Sequence, residues 1–160
     1  MIIYKFGGAS VKDSEGVKNL GNILMSRDEA RVIVVSALGK TTNHLEEMAE
    51  AIHENDNKRF QEDYYRLREY HHAIMNGLFR GDDAIYEKVE KIFNKISGAF
   101  SVRWRDYDCL YDQIVCLGEI LSTRIICSYL NDQGLECRWI DIRKNLITDD
   151  LHRDAQVNWK

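Results

Sequence analysis

Three short strings in this 160-residue chain gather residue types that can handle a phosphoryl group. In KFGGAS (5–10), a lysine stands near the end of an apolar run that closes at the twin glycines Gly7 and Gly8. Glycines let a ligand approach the backbone, and a lysine ammonium offsets charge developing on a transferring phosphoryl group. In VVSALGKTTN (34–43), an apolar run passes through the small-residue turn at 36–39 to the hydroxyls of Thr41 and Thr42. Anions bind well at such a strand-to-helix junction. In CLGEIL (116–121), Glu119 falls on one helical face with Val115, Ser122 and Ile126. A carboxylate shielded there needs a cationic partner, and a substrate ammonium would serve.

Each string also has a plain structural reading. Lys5 can close a strand with its amine in water. Thr41 or Thr42 can cap a helix. Gly118 can break the helix and leave Glu119 as a favourable acid in a new first turn.

The run Gly39-Lys40-Thr41 invites comparison with a nucleotide-binding P-loop. That motif needs Gly-x-x-x-x-Gly-Lys-Ser/Thr, because its first glycine curls the backbone so that successive amides face the phosphates. Counting back from Gly39 puts Val34 at that position. A β-branched residue inside an apolar run cannot make the turn, so only half the motif is present.

The elements that must position these strings follow from periodicity. Residues 2–6 and 32–35 read as short strands of the kind a parallel sheet buries on both faces. Between them Val17, Leu20, Ile23 and Leu24 mark a helix with Ser14 as its N-cap, long enough for a right-handed crossover. A second helix carries Leu45, Met48, Ala49 and Ile52, its start signalled by Asn43 and Glu46. Phe60, Tyr64, Leu67, Ile74 and Leu78 mark a third, and Ile85, Val89, Ile92, Phe93, Ile96 and Phe100 a fourth, with the turn 80–83 between them. These stripes read as packing surfaces. A further helix is expected over about 112–131, then a third strand at 135–140. No proline, repeat or linker divides the chain, so one domain is expected.

Composition narrows the function. With 22 Lys+Arg against 26 Asp+Glu and a formal charge of -4, no basic stripe offers itself to nucleic acid. No leader is evident in MIIYKF and no segment reads as membrane-spanning, so a cytoplasmic protein is expected. Cys109, Cys116, Cys127 and Cys137 lack zinc-site spacing and read as reduced core thiols. His71 and His72 point to different helix faces, and no metal site is expected. Asp141 and Arg143 read as a structural ion pair.

Taken together, KFGGASV, VVSALGKTTN, GEILST and WIDIRK resemble, in order and spacing, the N-terminal part of aspartokinases in the amino-acid kinase family. The resemblance covers nearly the whole chain and is least diagnostic over residues 55–107. It implies an α/β fold, a three-layer α/β/α sandwich with a mainly parallel sheet, of which residues 1–160 form the N-terminal, substrate-side portion. It implies transfer of the ATP γ-phosphoryl group to the β-carboxylate of L-aspartate, with Mg2+ accompanying ATP, on the route to lysine, threonine and methionine. Carboxylates are nucleophilic at neutral pH, so positioning and charge neutralisation are the main tasks.

By the same resemblance Lys5 is the catalytic lysine, Gly7, Gly8, Ala9 and Ser10 form the phosphate loop, and Ser36, Thr42 and Glu119 bind substrate, with Glu119 facing the aspartate ammonium. Ala9 departs from the family's usual threonine, which removes a hydroxyl from the phosphate loop. The resemblance further implies that the nucleotide half and the ACT regulatory domains lie outside these residues, that the parent enzyme is a homo-oligomer, and that residues 1–160 alone do not turn over. Two alternatives are a family member acting on a different carboxylate or carbamate, and a non-catalytic small-molecule binding module.

Overall fold

The computed structural model describes residues 1–26, 29, 31–80 and 84–159. Strands β1 (Ile2–Phe6) and β2 (Arg31–Val35) pair in parallel, with Ile3 opposite Val32, Lys5 opposite Val34 and Phe6 opposite Val35. Parallel pairing needs a crossover, and helix α1 (Ser14–Met25) lies within it. Strand alternation turns Tyr4, Phe6, Ile33 and Val35 toward the core. It leaves Ile3 and Val34 65% and 48% exposed on the other side. The expectation of strands covered on both faces therefore holds for one face among the described residues.

Helix α1 buries Val17, Leu20 and Leu24 as its spacing predicts, while Ile23 stays exposed. Its N-cap is Asp13 rather than Ser14: the Asp13 carboxylate accepts from the Gly16 amide at 2.8 Å. An aspartate caps as well as a serine. Helix α2 (Thr41–His53) sends Leu45, Met48 and Ala49 into the core. Its N-cap position falls on Lys40, whose side chain has no acceptor to offer, and the buried Thr41 hydroxyl, one residue on, donates to the Leu38 carbonyl at 2.6 Å.

Helices α3 (Asn57–Leu78) and α4 (Ala84–Gly98) supply most of the remaining core through Phe60, Leu67, Ile74, Val89, Phe93 and Ile96. Of the turn expected at 80–83, residues 81–83 lie outside the described residues. The single helix expected over 112–131 is instead two, α5 (Tyr107–Val115) and α6 (Leu117–Asp132), meeting at Cys116. Together the stretch Tyr107–Asp132 is long and apolar enough to cross a membrane by length and composition alone, contrary to the sequence expectation. Its apolar side chains Leu110, Ile114, Leu121, Ile125 and Ile126 pack in the protein core.

The third strand expected at 135–140 does not form among the described residues. The Asn131 side chain takes the place of a ladder partner: its Oδ1 accepts from the Cys137 amide and its Nδ2 donates to the Cys137 carbonyl, each at 2.9 Å. Trp139 then docks on α6, its indole donating to the Thr123 hydroxyl at 3.0 Å under the Arg124 guanidinium, 3.6 Å from the ring centre. The four cysteines are free but half-buried rather than core.

His71 sits wholly buried in α3, its Nδ1 2.9 Å from the Leu67 carbonyl and its Nε2 without a hydrogen-bond partner among the described residues. Burial drives its imidazole down to about 4. The unfolded chain takes up that proton first, so the stability is complete above pH 6.5 and drains away as pH falls toward 4. The loss is on the order of 3 kcal/mol. Urea unfolding between pH 7 and 4 is expected to show this slope in the wild type and to lose most of it in His71→Leu.

Candidate functional site

Because β1 and β2 run parallel, their carboxyl ends open on the same edge of the sheet, where ligands of α/β proteins gather. The first loop leaves Phe6 through Gly7 into a 3-10 turn at Gly8–Val11, closed by the Ser10 amide donating to the Gly7 carbonyl at 3.0 Å. The second leaves Val35 through Ser36, Ala37 and Leu38 to Gly39, which takes a φ of 53°. Glycine enters that left-handed region at little cost, and this lets the chain turn directly into α2.

Backbone contacts lock the two loops together. The Ser36 amide donates to the Phe6 carbonyl and the Gly39 amide to the Gly8 carbonyl, each at 3.1 Å. A Cβ on Gly8 would stand 2.7 Å from the Ala37 oxygen and 2.9 Å from the Gly39 oxygen, so only glycine fits there. Gly7 has open space around it and meets no such constraint.

Helix α6 brings the third string to the same place. Its first turn carries Glu119, whose Oε1 accepts from the Ala37 amide at 3.3 Å. Gly118 makes that approach possible: a Cβ there would meet the Ala37, Leu45 and Thr41 side chains at 3.0, 3.1 and 3.2 Å. Glu119 shares its helical face with Ser122 and Ile126, as the spacing predicts, but lies in the first turn of α6. Ser122 and Ile126 are buried, while Glu119 is exposed at the loop junction rather than shielded. Its backbone carbonyl also accepts from the hydroxyls of Ser122 and Thr123, at 3.1 and 2.6 Å.

Of the residues singled out from sequence, Gly7, Gly8, Ala9 and Ser10 form the first loop, with Ala9 and Ser10 exposed. Ser36 opens the second loop, Thr42 lies half-buried in the first turn of α2, and Glu119 bonds the second loop. Lys5 shares the open face of the sheet with Ile3, Val32 and Val34, one residue before the Phe6 carbonyl that receives Ser36. Its exposed amine has no ion-pair partner among the described residues. Val34 lies within β2, which excludes the turn a P-loop would need there.

Sequence reasoning missed the Ala37 amide, whose role depends on a carboxylate 82 residues away and leaves no local signal. It also passed over Gly39, whose glycine before a helix was a readable sign of positive φ.

Asp141 and Arg143 form the ion pair expected of them, with Nε to Oδ1 at 2.9 Å and Nη2 to Oδ2 at 2.7 Å. The guanidinium holds the Asp141 carboxyl down to about 2. Arg143 also reaches the Cys116 sulfur at 3.7 Å, tying the chain after α6 back to the α5–α6 junction. His44, Glu47 and Asp63 place donor atoms within 4.8 Å of one another between α2 and α3. Burial raises the Asp63 carboxyl above the usual carboxylate range. Arg66 already pairs with it at 3.4 Å, so the group is self-compensating.

Two glycine turns joined amide to carbonyl at the carboxyl ends of parallel strands, with a carboxylate bonded to the second of them, define an α/β protein with its loops gathered where ligands of that class bind. The amino acid kinase family model matches residues 1–158, and the chain belongs to that family. It is 30% identical over 157 residues to lysine-sensitive aspartokinase 3 of Escherichia coli, covering 98% of this chain and 34% of that protein. It is 32% identical to the chloroplastic aspartokinase 2 of Arabidopsis thaliana, covering 97% of this chain and 29% of that one. Its fold matches the crystal structure of E. coli aspartokinase III with aspartate and ADP at a TM-score of 0.88 and 27% identity, over 99% of this chain and 35% of that one. The chain thus spans about a third of the length of these relatives.

Proposed function

We propose that this chain is the acceptor-side part of an aspartate kinase, moving the γ-phosphoryl group of ATP to the β-carboxylate of L-aspartate. The observation that carries the reading is the junction of Glu119 with the second loop. An exposed carboxylate anchored on the Ala37 amide stands where both loops meet, able to receive a substrate ammonium. The E. coli relative that matches the fold was crystallised with aspartate and ADP, which supports an amino-acid acceptor and a nucleotide donor.

In this reading the first loop faces the phosphoryl group, and Ser36 and Thr42 line the acceptor side. Lys5 offsets the charge that spreads over the transferring oxygens. The acceptor carboxylate attacks unaided, so no general base is required and fixing the two reactants in line is the principal work. ATP brings Mg2+ with it, the remaining length found in the relatives supplies most of the nucleotide contacts, and the product feeds lysine, threonine and methionine synthesis. The parent assembles as a homo-oligomer.

The test is ATP-dependent formation of aspartyl phosphate, trapped with hydroxylamine, by the complete polypeptide and by residues 1–160 alone. Activity is expected only from the former. Glu119→Gln is expected to raise KM for aspartate about tenfold or more, because a charge-assisted contact to the ammonium is worth roughly 1.5–3 kcal/mol, while KM for ATP stays within twofold. Equal affinity for aspartate in the variant would remove Glu119 from the acceptor site.

A further inference from the structure

Helix α3 belongs to the segment with the least chemical signature in the sequence, yet it reaches both loops through one side chain. The Tyr70 hydroxyl donates to the carbonyl of Lys12, the residue that caps the 3-10 turn of the first loop. The same hydroxyl stands against Gly39 of the second loop, where any Cβ would collide with it. The Lys12 Cβ lies 3.6 Å from that same point. Gly39 in turn donates to Gly8 at 3.1 Å. One phenol oxygen therefore sits where the far end of the first loop meets the far end of the second.

We infer that Tyr70 is a positioning residue that holds the phosphate loop and the acceptor loop at a fixed separation; the inference rests on the aspartate-kinase reading for what the two loops carry. Its helix is suited to the task. The core stripe of α3 runs through Phe60, Leu67, Ile74 and Met75, and Tyr70 borders it, half-buried with its ring against the core and its hydroxyl at the loops. About two turns further along, a Cβ on Gly77 would meet the Ser14 Cβ and Oγ at 2.6 Å, so α3 also abuts the start of α1 directly after the first loop. A 22-residue helix braced at two points makes a stiff post. Burial and the nearby Asp13 charge raise the Tyr70 phenol above its ordinary range, so it keeps the proton it donates.

A spacer between donor and acceptor loops has a distinctive kinetic signature. Each loop can still bind its own ligand when the spacer is cut, but the two ligands lose their alignment, and misplacement by about 1 Å costs up to roughly a hundredfold in rate. The loss should thus fall on kcat and leave both KM values nearly unchanged.

Tyr70→Phe in the complete polypeptide keeps the ring and removes only the hydroxyl. Expected are a fall in kcat of roughly ten- to a hundredfold, KM values for aspartate and ATP within about threefold, a melting temperature that stays well above the assay temperature, and faster hydrogen exchange at the Gly39 and Ser10 amides. Unchanged kcat, a rise in KM alone, or a loss of activity that tracks a melting temperature lowered into the assay range overturns the inference. If the wild-type polypeptide forms no aspartyl phosphate, the functional reading falls, and the exchange experiment decides the spacer by itself: faster exchange in the variant upholds it and unchanged exchange overturns it.

Discussion

Replacing Lys5 by alanine in the complete polypeptide is expected to lower kcat for aspartyl phosphate formation about 10³-fold, the scale set by removing one preorganised charge-stabilising group. Folding should be untouched. Lys5 is exposed on the open face of the two-strand sheet and makes no ion pair among the described residues, and surface substitutions of that kind rarely disturb stability. Its place near the end of β1, one residue before the carbonyl that binds the second loop, sets it beside the glycine turn that faces the phosphoryl group in the proposed function. Lys5→Arg should recover only part of the loss, because a planar guanidinium keeps the charge but not the compact ammonium geometry. Steady-state kinetics with an unfolding curve for each variant checks this. Turnover within a few-fold of the parent would return Lys5 to the role of a solvated strand-end lysine.

The sequence shows the glycine turns and the lysine because each answers a local requirement. Gly7 and Gly8 end an apolar run, and Val34 sits where a P-loop glycine would be needed, so both readings use only neighbouring residues. The core stripes of α3 and α4 are equally plain, since Phe60, Leu67, Val89 and Phe93 repeat at helical spacing and are fully buried.

What failed depended on distant partners. Residues 135–140 have strand composition, yet Asn131 satisfies the Cys137 amide and carbonyl, and no strand needs to pair there. Glu119 was expected to be shielded beside Ser122 and Ile126, but it lies in the first turn of α6, exposed, where its carboxylate bonds the Ala37 amide of a distant loop. Tyr70 gave no signal at all, because a tyrosine in a helical stripe is indistinguishable from packing until the loops it touches are folded. The site is thus legible where one segment makes it and hidden where three segments must meet.

That distinction sets the sharpest test of the junction itself, a pair of identical substitutions at adjacent glycines. Gly8→Ala puts a Cβ 2.7 and 2.9 Å from the Ala37 and Gly39 oxygens. Both obstacles are backbone, so neither can rotate aside and the loops must part. Overpacking of this kind costs about 1–3 kcal/mol, and losing the Gly39 amide to Gly8 carbonyl bond adds roughly 0.5–1.5 kcal/mol. Gly7→Ala meets nothing within 4 Å, and its backbone at φ -81° suits any residue, so its melting temperature should match the wild type. Gly8→Ala is expected to melt several degrees lower and to lose at least a hundredfold in kcat/KM, since a shift of about 1 Å between donor and acceptor loops has that effect on aligned transfer. Equal melting temperatures for the two variants would mean that the loops are not in the contact described, and the fixed spacing on which Lys5, Glu119 and Tyr70 all depend would go with it.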